Sequence, residues 1–217
     1  QKNCLIYSDN KMILPKKYLS WSQFHLWNTS KEMFRRRYYH NVPSYESRET
    51  IFGKRVAQII EKKEAHPILA KVPRGESSEF RIETSVADIP VLAFLDSFTE
   101  RTGSLFEYKT GKIVWDQDRV NNHDQLLFYV AAIKAKFGYY DPYVLLCWLE
   151  TSLNTRREVI GGIAFENDDA RDMVVELTGK IEVFTRKIEQ KEIASITDAI
   201  SCVAKEIEDD FLHYSFL

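Results

Sequence analysis

Three β-rich runs, at 79–86, 90–99 and 104–110, follow one another with only short turns between them, and no other feature restricts the fold as much. Asp88 with Pro90, and Thr102 with Gly103, supply the turn residues. Segments joined this tightly pair as antiparallel neighbours in one sheet. A helix is expected next over 117–137, from an apolar stripe of Leu126, Val130, Ile133 and Phe137 that stops at Gly138. Two more strands are expected near 142–150 and 157–165.

Ahead of the strands, residues 19–39 read LSWSQFHLWNTSKEMFRRRYY, with Ser20 and then Thr29 or Ser30 as N-caps of two short helices. A helix over 48–64 places Phe52, Val56, Ile59 and Ile60 on one face, with Lys54, Ala57, Gln58 and Glu61 on a neighbouring one. Towards the C-terminus Val174, Leu177, Ile181, Phe184 and Ile188 step by threes and fours, as do Ile196, Ile200, Val203 and Ile207. This predicts a helical hairpin over 168–214, with Ser195 and Asp198 capping its second helix. The chain then divides into a core over 1–166, with its N-terminal helical segment, and a hairpin over 167–217. That hairpin packs on the core, or its heptad-like stripe seeks another subunit. The order is helices, β-β-β, helix, β-β and two helices, a mixed α/β domain with a partly antiparallel sheet.

A chain of 217 residues with 44% hydrophobic content can bury a core without disulfide or metal staples. Cys4, Cys147 and Cys202 are odd in number, far apart and in no C-x-x-C spacing, so they read as buried or incidental thiols. No apolar run approaches the roughly 20 residues that span a bilayer, and residues 1–14 lack a signal-like pattern, so a cytoplasmic protein without membrane contact is expected. The formal net charge of -2 gives no overall pull towards a polyanion, so any nucleic-acid contact must rest on a local basic surface. Arg35, Arg36 and Arg37 in KEMFRRR, with Lys54 and Arg55 in the next helix, are the candidates. Solvated helix faces are the alternative.

E-x-K occurs at Glu61 with Lys63, at Glu107 with Lys109 and at Glu189 with Lys191, and only the middle copy ends a strand in a hairpin. Residues two apart on a strand share a face, so Glu107 and Lys109 point together and Tyr108 points away. A turn at Arg101 and Thr102 sets Asp96 opposite Glu107, and one at Thr102 and Gly103 sets it opposite Lys109. Either unbulged register puts both carboxylates and the ammonium on one face. Hard divalent cations favour carboxylate and carbonyl oxygens, so Asp96, Glu107 and the Tyr108 carbonyl suit Mg²⁺ or Mn²⁺. Lys109 then suits a nucleophile or a developing negative charge. A salt-bridged hairpin end is the alternative.

Around this hairpin the chain resembles the RecB-like branch of the PD-(D/E)XK nuclease superfamily, over about residues 19–150. LSWSQFHLW resembles the branch's opening L-S-x-S-x-L-x-x-Y, and FGKRVAQIIE its G-x-x-V-H-x-x-x-E helix. LAFLD with FEYKTGK is similar to its G-x-I-D and D-Y-K-T-G hairpin, and QLLFY to its Q-x-x-x-Y helix. The resemblance implies a restriction-endonuclease-like α-β-β-β-α-β core and a metal-dependent exonuclease or end-processing nuclease. It implies metal binding by Asp96 and Glu107, a catalytic Lys109, and positioning by Gln125 and Tyr129, which lie four apart on one helical face.

One departure stands out: Ala57 occupies the place of the branch's metal-binding His, leaving Glu61 one turn later to bind metal directly or through water. No iron–sulfur cluster is expected, since the cysteines lack that spacing and Ser30 holds the early position. DNA is the expected partner. Without a phosphate-binding G-x-x-x-x-G-K-[ST] loop, any helicase or other repair or recombination subunit would be a separate chain. Ala57 also motivates a second reading, a catalytically lapsed module that binds DNA or a protein.

Overall fold

The computed structural model of the chain describes residues 12–138, 142–154, 163–164 and 174–215. Two short helices come first, α1 (Trp21–Thr29) and α2 (Lys31–Tyr38), and the hydroxyls of Ser20 and Ser30 accept N–H groups of Gln23 and Met33 as their caps. Helix α3 (Arg48–Glu61) is capped in the same way by Ser47. Strands β1 (Ser77–Val86), β2 (Ile89–Thr99) and β3 (Ser104–Gly111) follow. The β1–β2 turn is Ala87–Asp88, both with positive φ, the backbone that a twisted two-residue hairpin requires.

The single helix expected over 117–137 is two, α4 (Gln117–Asn121) and α5 (Asp124–Phe137), broken at Asn122 and His123. Asp116 caps the first through the N–H of Arg119, and Gly138 in the left-handed region ends the second. These helices carry the chain from β3 to β4 (Val144–Asn154), which is parallel to it, as a parallel pair requires a crossover. Strands β5 (Ile163–Ala164) and β6 (Val174–Arg186) and the long helix α6 (Gln190–Ser215) complete the order. The sheet runs β1-β2-β3-β4-β6-β5, antiparallel except at β3–β4. Of the strand expected over 157–165, residues 163–164 are β5 and the rest lie outside the described residues.

The sheet is covered on both faces. Leu146 and Trp148 enter a core built with α1, α5 and α6, while their neighbours Cys147 and Leu149 enter a second core with Phe52, Val56 and Ile60 of α3. Gly53 lets α3 approach β3, because a Cβ there would lie 3.0 Å from the Thr110 hydroxyl. No helix among the described residues is long and apolar enough to cross a membrane.

The helical hairpin expected over 168–214 is corrected. Its second half is α6, whose stripe of Ile193, Ile196, Ile200, Val203 and Ile207 is buried against this chain's own core, so that stripe has no free face for another subunit. Its first half is β6, paired along β4. The register of β6 on β4 shifts between Leu149 and Thr151, beside Gly179 at φ 92. The shift inserts two residues in β6 and so keeps side-chain parity: Val175, Leu177 and Ile181 pack in the second core and Phe184 in the first, and a strand apolar on both faces imitates helical spacing. The β-branched Val175, Thr178, Ile181 and Val183 favour a strand over a helix, and Gly179 weakens a helix interior. Residues 174–186 therefore belong to the sheet, and the boundary expected at 166/167 does not separate them from it.

Candidate active site

The β2–β3 ladder pairs Thr99 with Ser104 and Ser97 with Phe106, so the next level is Asp96 with Glu107, the register of a turn around Arg101 and Thr102. The ladder ends there. The Asp96 carboxylate accepts the Tyr108 N–H at 2.7 Å, and β3 continues in its pairing with β4. A side chain thus replaces a backbone acceptor, and the two strands part around the two acids.

Glu107 is 2% exposed and Lys109 Nζ donates to its Oε1 at 2.6 Å. The same ammonium donates to Gln125 Oε1 at 2.6 Å, and Gln125 Nε2 donates to the Tyr129 hydroxyl at 2.9 Å. Glu107, Lys109, Gln125 and Tyr129 therefore form one hydrogen-bonded chain from β3 to the first turns of α5. Burial, and then the charge of Glu107, pushes the Asp96 carboxyl well above its ordinary range, against the Tyr108 N–H and the charge of Lys109. Burial and the Glu107 charge likewise raise the Tyr129 phenol.

Tyr108 points to the opposite face, as strand parity requires, and its hydroxyl donates to the Pro73 carbonyl at 3.0 Å. Glu61 lies exposed at the end of α3 and acts electrostatically on Glu79, not on Asp96. Ala57 lies one turn earlier on the same helix.

Two neighbours went unread in the sequence. His123, at the N-terminus of α5, is packed edge-on against Trp115 and Trp21, and its Nε2 is buried without a partner. Burial, then the charge of Lys109, pulls it down to about 4, so its ring is neutral near pH 7. Glu79 stands level with Asp96 on β1, since Ser78 pairs with Ser97 and Phe80 with Leu95.

The basic candidates separate. Arg35 is paired within the fold: its guanidinium donates to both oxygens of Asp210, at 3.0 and 2.5 Å. Lys31, one turn before it, pairs with Glu206, one turn before Asp210, so α2 and α6 meet along a charged seam. The Arg35 guanidinium holds the Asp210 carboxyl below its ordinary value. Lys54 and Arg55 pair with Glu46 and Glu64 at the surface. Arg36 and Arg37 remain exposed, lining an open groove with Met33, Val42 and Tyr45, and Arg37 lies over the Tyr38 ring.

Among the described residues no three His, Cys, Asp or Glu side chains converge closely enough to hold a metal ion as they stand. The donor set nonetheless suits one. Glu107 Oε2 is buried with no hydrogen-bond partner, and an anionic oxygen so placed is costly without a cation. The cation now beside it is Lys109, on the other oxygen. Two hard carboxylates parted from each other at a strand end fit Mg²⁺ or Mn²⁺ better than a soft metal.

No family model matches the chain and no curated protein matches it significantly. Solved structures do. A phage-related exonuclease from Haemophilus somnus 129PT superposes with a TM-score of 0.52 at 9% identity, over 87% of this chain and 82% of that one. A protein described provisionally as an exonuclease, from Eubacterium rectale, superposes with a TM-score of 0.55 at 8% identity, over 97% of this chain and 87% of that one. At such identity the likeness speaks for architecture, and this chain has the mixed α/β, restriction-endonuclease-like fold of those exonucleases.

Proposed function

We propose that the chain is a metal-dependent DNA nuclease of the RecB-like type, hydrolysing phosphodiester bonds from DNA ends at the gap between β2 and β3. The observation that carries this reading is the buried, unpartnered Glu107 oxygen beside Asp96 and Lys109. The shared fold of the two exonucleases supports it.

Asp96, Glu107 and the Tyr108 carbonyl would hold Mg²⁺ or Mn²⁺. When bound, the ion supplies Lewis acidity to a phosphoryl oxygen and lowers the pKa of coordinated water. Lys109, released from Glu107, orients the attacking water or offsets charge on the phosphorane-like transition state. Gln125 holds the Lys109 ammonium in place, and Tyr129 fixes the Gln125 amide so that its oxygen faces that ammonium. The neutral His123 ring keeps a second positive charge away from Lys109. Ala57 and the Lys109–Glu107 pair favour the competing reading, a module that binds DNA without cutting it.

End-labelled linear and closed circular DNA, single- and double-stranded, incubated with Mg²⁺, Mn²⁺ or EDTA, separates the two. Shortening of linear DNA that stops in EDTA is expected. Undiminished cleavage in excess EDTA contradicts the metal role, and no cleavage with either metal favours the binding module.

Arg36 and Arg37 are the proposed DNA contacts, since Arg35 is held by Asp210. Replacing Arg36 and Arg37 together by Ala should weaken DNA binding and reduce the salt slope by roughly 2, each arginine neutralising one phosphate. Arg35→Ala should instead loosen α6 and lower thermal stability. An unchanged salt slope in the double variant would show that the groove does not meet DNA.

A further inference from the structure

Glu79 has no part in the chemistry of Asp96, Glu107 and Lys109 so far, yet its backbone and its neighbours set it apart. The register carries Glu79, Asp96 and Glu107 to one level on three adjacent strands. Strands are about 4.8 Å apart, and like charges facing each other across them are destabilising. Glu79 also sits at φ 47, in the left-handed region that favours Gly or Asn over a longer side chain. The alternation of buried side chains slips at this point, because Leu95 and Phe98, three residues apart, both enter the same core. A strained, repelled carboxylate is a poor structural element. Strain of this kind collects at functional sites.

The surroundings agree with that placement. Glu79 is exposed, so water and ions reach it. Its carboxyl is raised by partial burial and then by the charges of Glu61 and Glu107, so it belongs to the electrostatics of the same cluster. An independent mark is the Glu107 oxygen, buried and without a partner in that row. Three side chains do not converge on a single point as they stand, which favours contact through an intervening water over direct ligation.

We propose that Glu79 is a third acidic residue of the divalent-cation site, holding a cation-bound water from the edge strand β1 where Ala57 leaves α3 without a His ligand. This rests on the reading that Asp96 and Glu107 hold the cation. It makes the site a row across the sheet, with Glu61 of α3 acting behind Glu79. It also gives the left-handed backbone a purpose, turning an edge-strand carboxylate towards Asp96.

The test needs no substrate. Mn²⁺ binding by calorimetry, and thermal unfolding with and without Mn²⁺, are measured on the full chain for wild type, Glu79→Gln, Glu79→Gly and Glu107→Gln. Glu79→Gln and Glu79→Gly should each weaken Mn²⁺ binding by about 10- to 100-fold. Both should raise the metal-free melting temperature, because repulsion is relieved, and Glu79→Gly more so because strain is relieved as well. Both should shrink the rise that Mn²⁺ produces. Wild-type Mn²⁺ affinity in Glu79→Gln, where Glu107→Gln no longer binds, would overturn the role of Glu79 and leave the cation site standing. Weaker binding with a lowered metal-free melting temperature would mean a distorted sheet, and also overturns it. If wild type binds no Mn²⁺, the cation reading itself fails and Glu79 with it.

Discussion

In Glu107→Gln, cleavage should fall below detection while the fold remains at least as stable as wild type. The change removes the negative charge of a residue that is 2% exposed and leaves a neutral group of nearly the same shape. The Oε2 of Glu107 has no partner to lose, and Lys109 keeps its bond to Gln125. The metal-free protein thus gives up a desolvated anion at little structural cost. On the proposed mechanism the same change deletes an anionic oxygen that would hold the cation, and neither the water nor the phosphoryl oxygen would then be activated. Lys109→Ala should differ in kind: it removes the ammonium that meets developing charge, a drop on the order of 10²- to 10³-fold in rate, with Mn²⁺ still bound. Single-turnover cleavage beside a thermal melt checks both. Wild-type rates in Glu107→Gln would refute the assigned site.

The second large effect is on stability. Gly75→Ala should destabilise the chain by about 3 kcal/mol or more, lowering the melting temperature by roughly 6–12 °C in a chain of this size. A Cβ at Gly75 would lie 2.6, 2.7 and 2.8 Å from the backbone C, O and N of Phe98, atoms that cannot rotate away. The Gly75 N–H also donates to Ser97 Oγ at 2.7 Å, and that hydroxyl donates to the Ser77 carbonyl at 3.0 Å, stitching the entry of β1 onto β2 next to Asp96. The clash therefore acts on the strand that carries Asp96, so, on the proposed reading, activity should fall along with stability. Gly111→Ala is the control, since a Cβ there meets nothing within 4 Å, and it should melt within a few degrees of wild type. Equal melting temperatures for the two variants would mean that β1 and β2 do not approach as described.

The central hairpin was legible because strand parity and a short turn leave few options. Asp96, Glu107 and Lys109 could be placed on one face by counting from the turn, and Gln125 and Tyr129 by helical spacing. Glu79 was within reach of the same counting: a two-residue turn at Ala87–Asp88 sets it against Asp96, but no residue type announces a left-handed glutamate in a strand. Strand β6 looks helical in the sequence for a definite reason: Leu177 and Ile181 feed one core and Phe184 the other, so its apolar residues do not alternate with polar ones. The break between α4 and α5 falls at Asn122 and His123, weak helix formers whose cost an apolar stripe on either side concealed. Arg35 could not be separated from Arg36 and Arg37 by sequence, because what distinguishes it is Asp210, 175 residues away. Charge pattern locates a basic surface; only tertiary contacts say which of its cations are already paired.

The most direct test of a cation held between β2 and β3 is diffraction from crystals soaked in Mn²⁺, with data collected at a wavelength where manganese scatters anomalously. The predicted result is an anomalous peak between the carboxylates of Asp96 and Glu107, within bonding distance of both, with Lys109 drawn off Glu107 and still held by Gln125. An Mn²⁺ peak elsewhere, or no peak and Lys109 unmoved on Glu107, would contradict it.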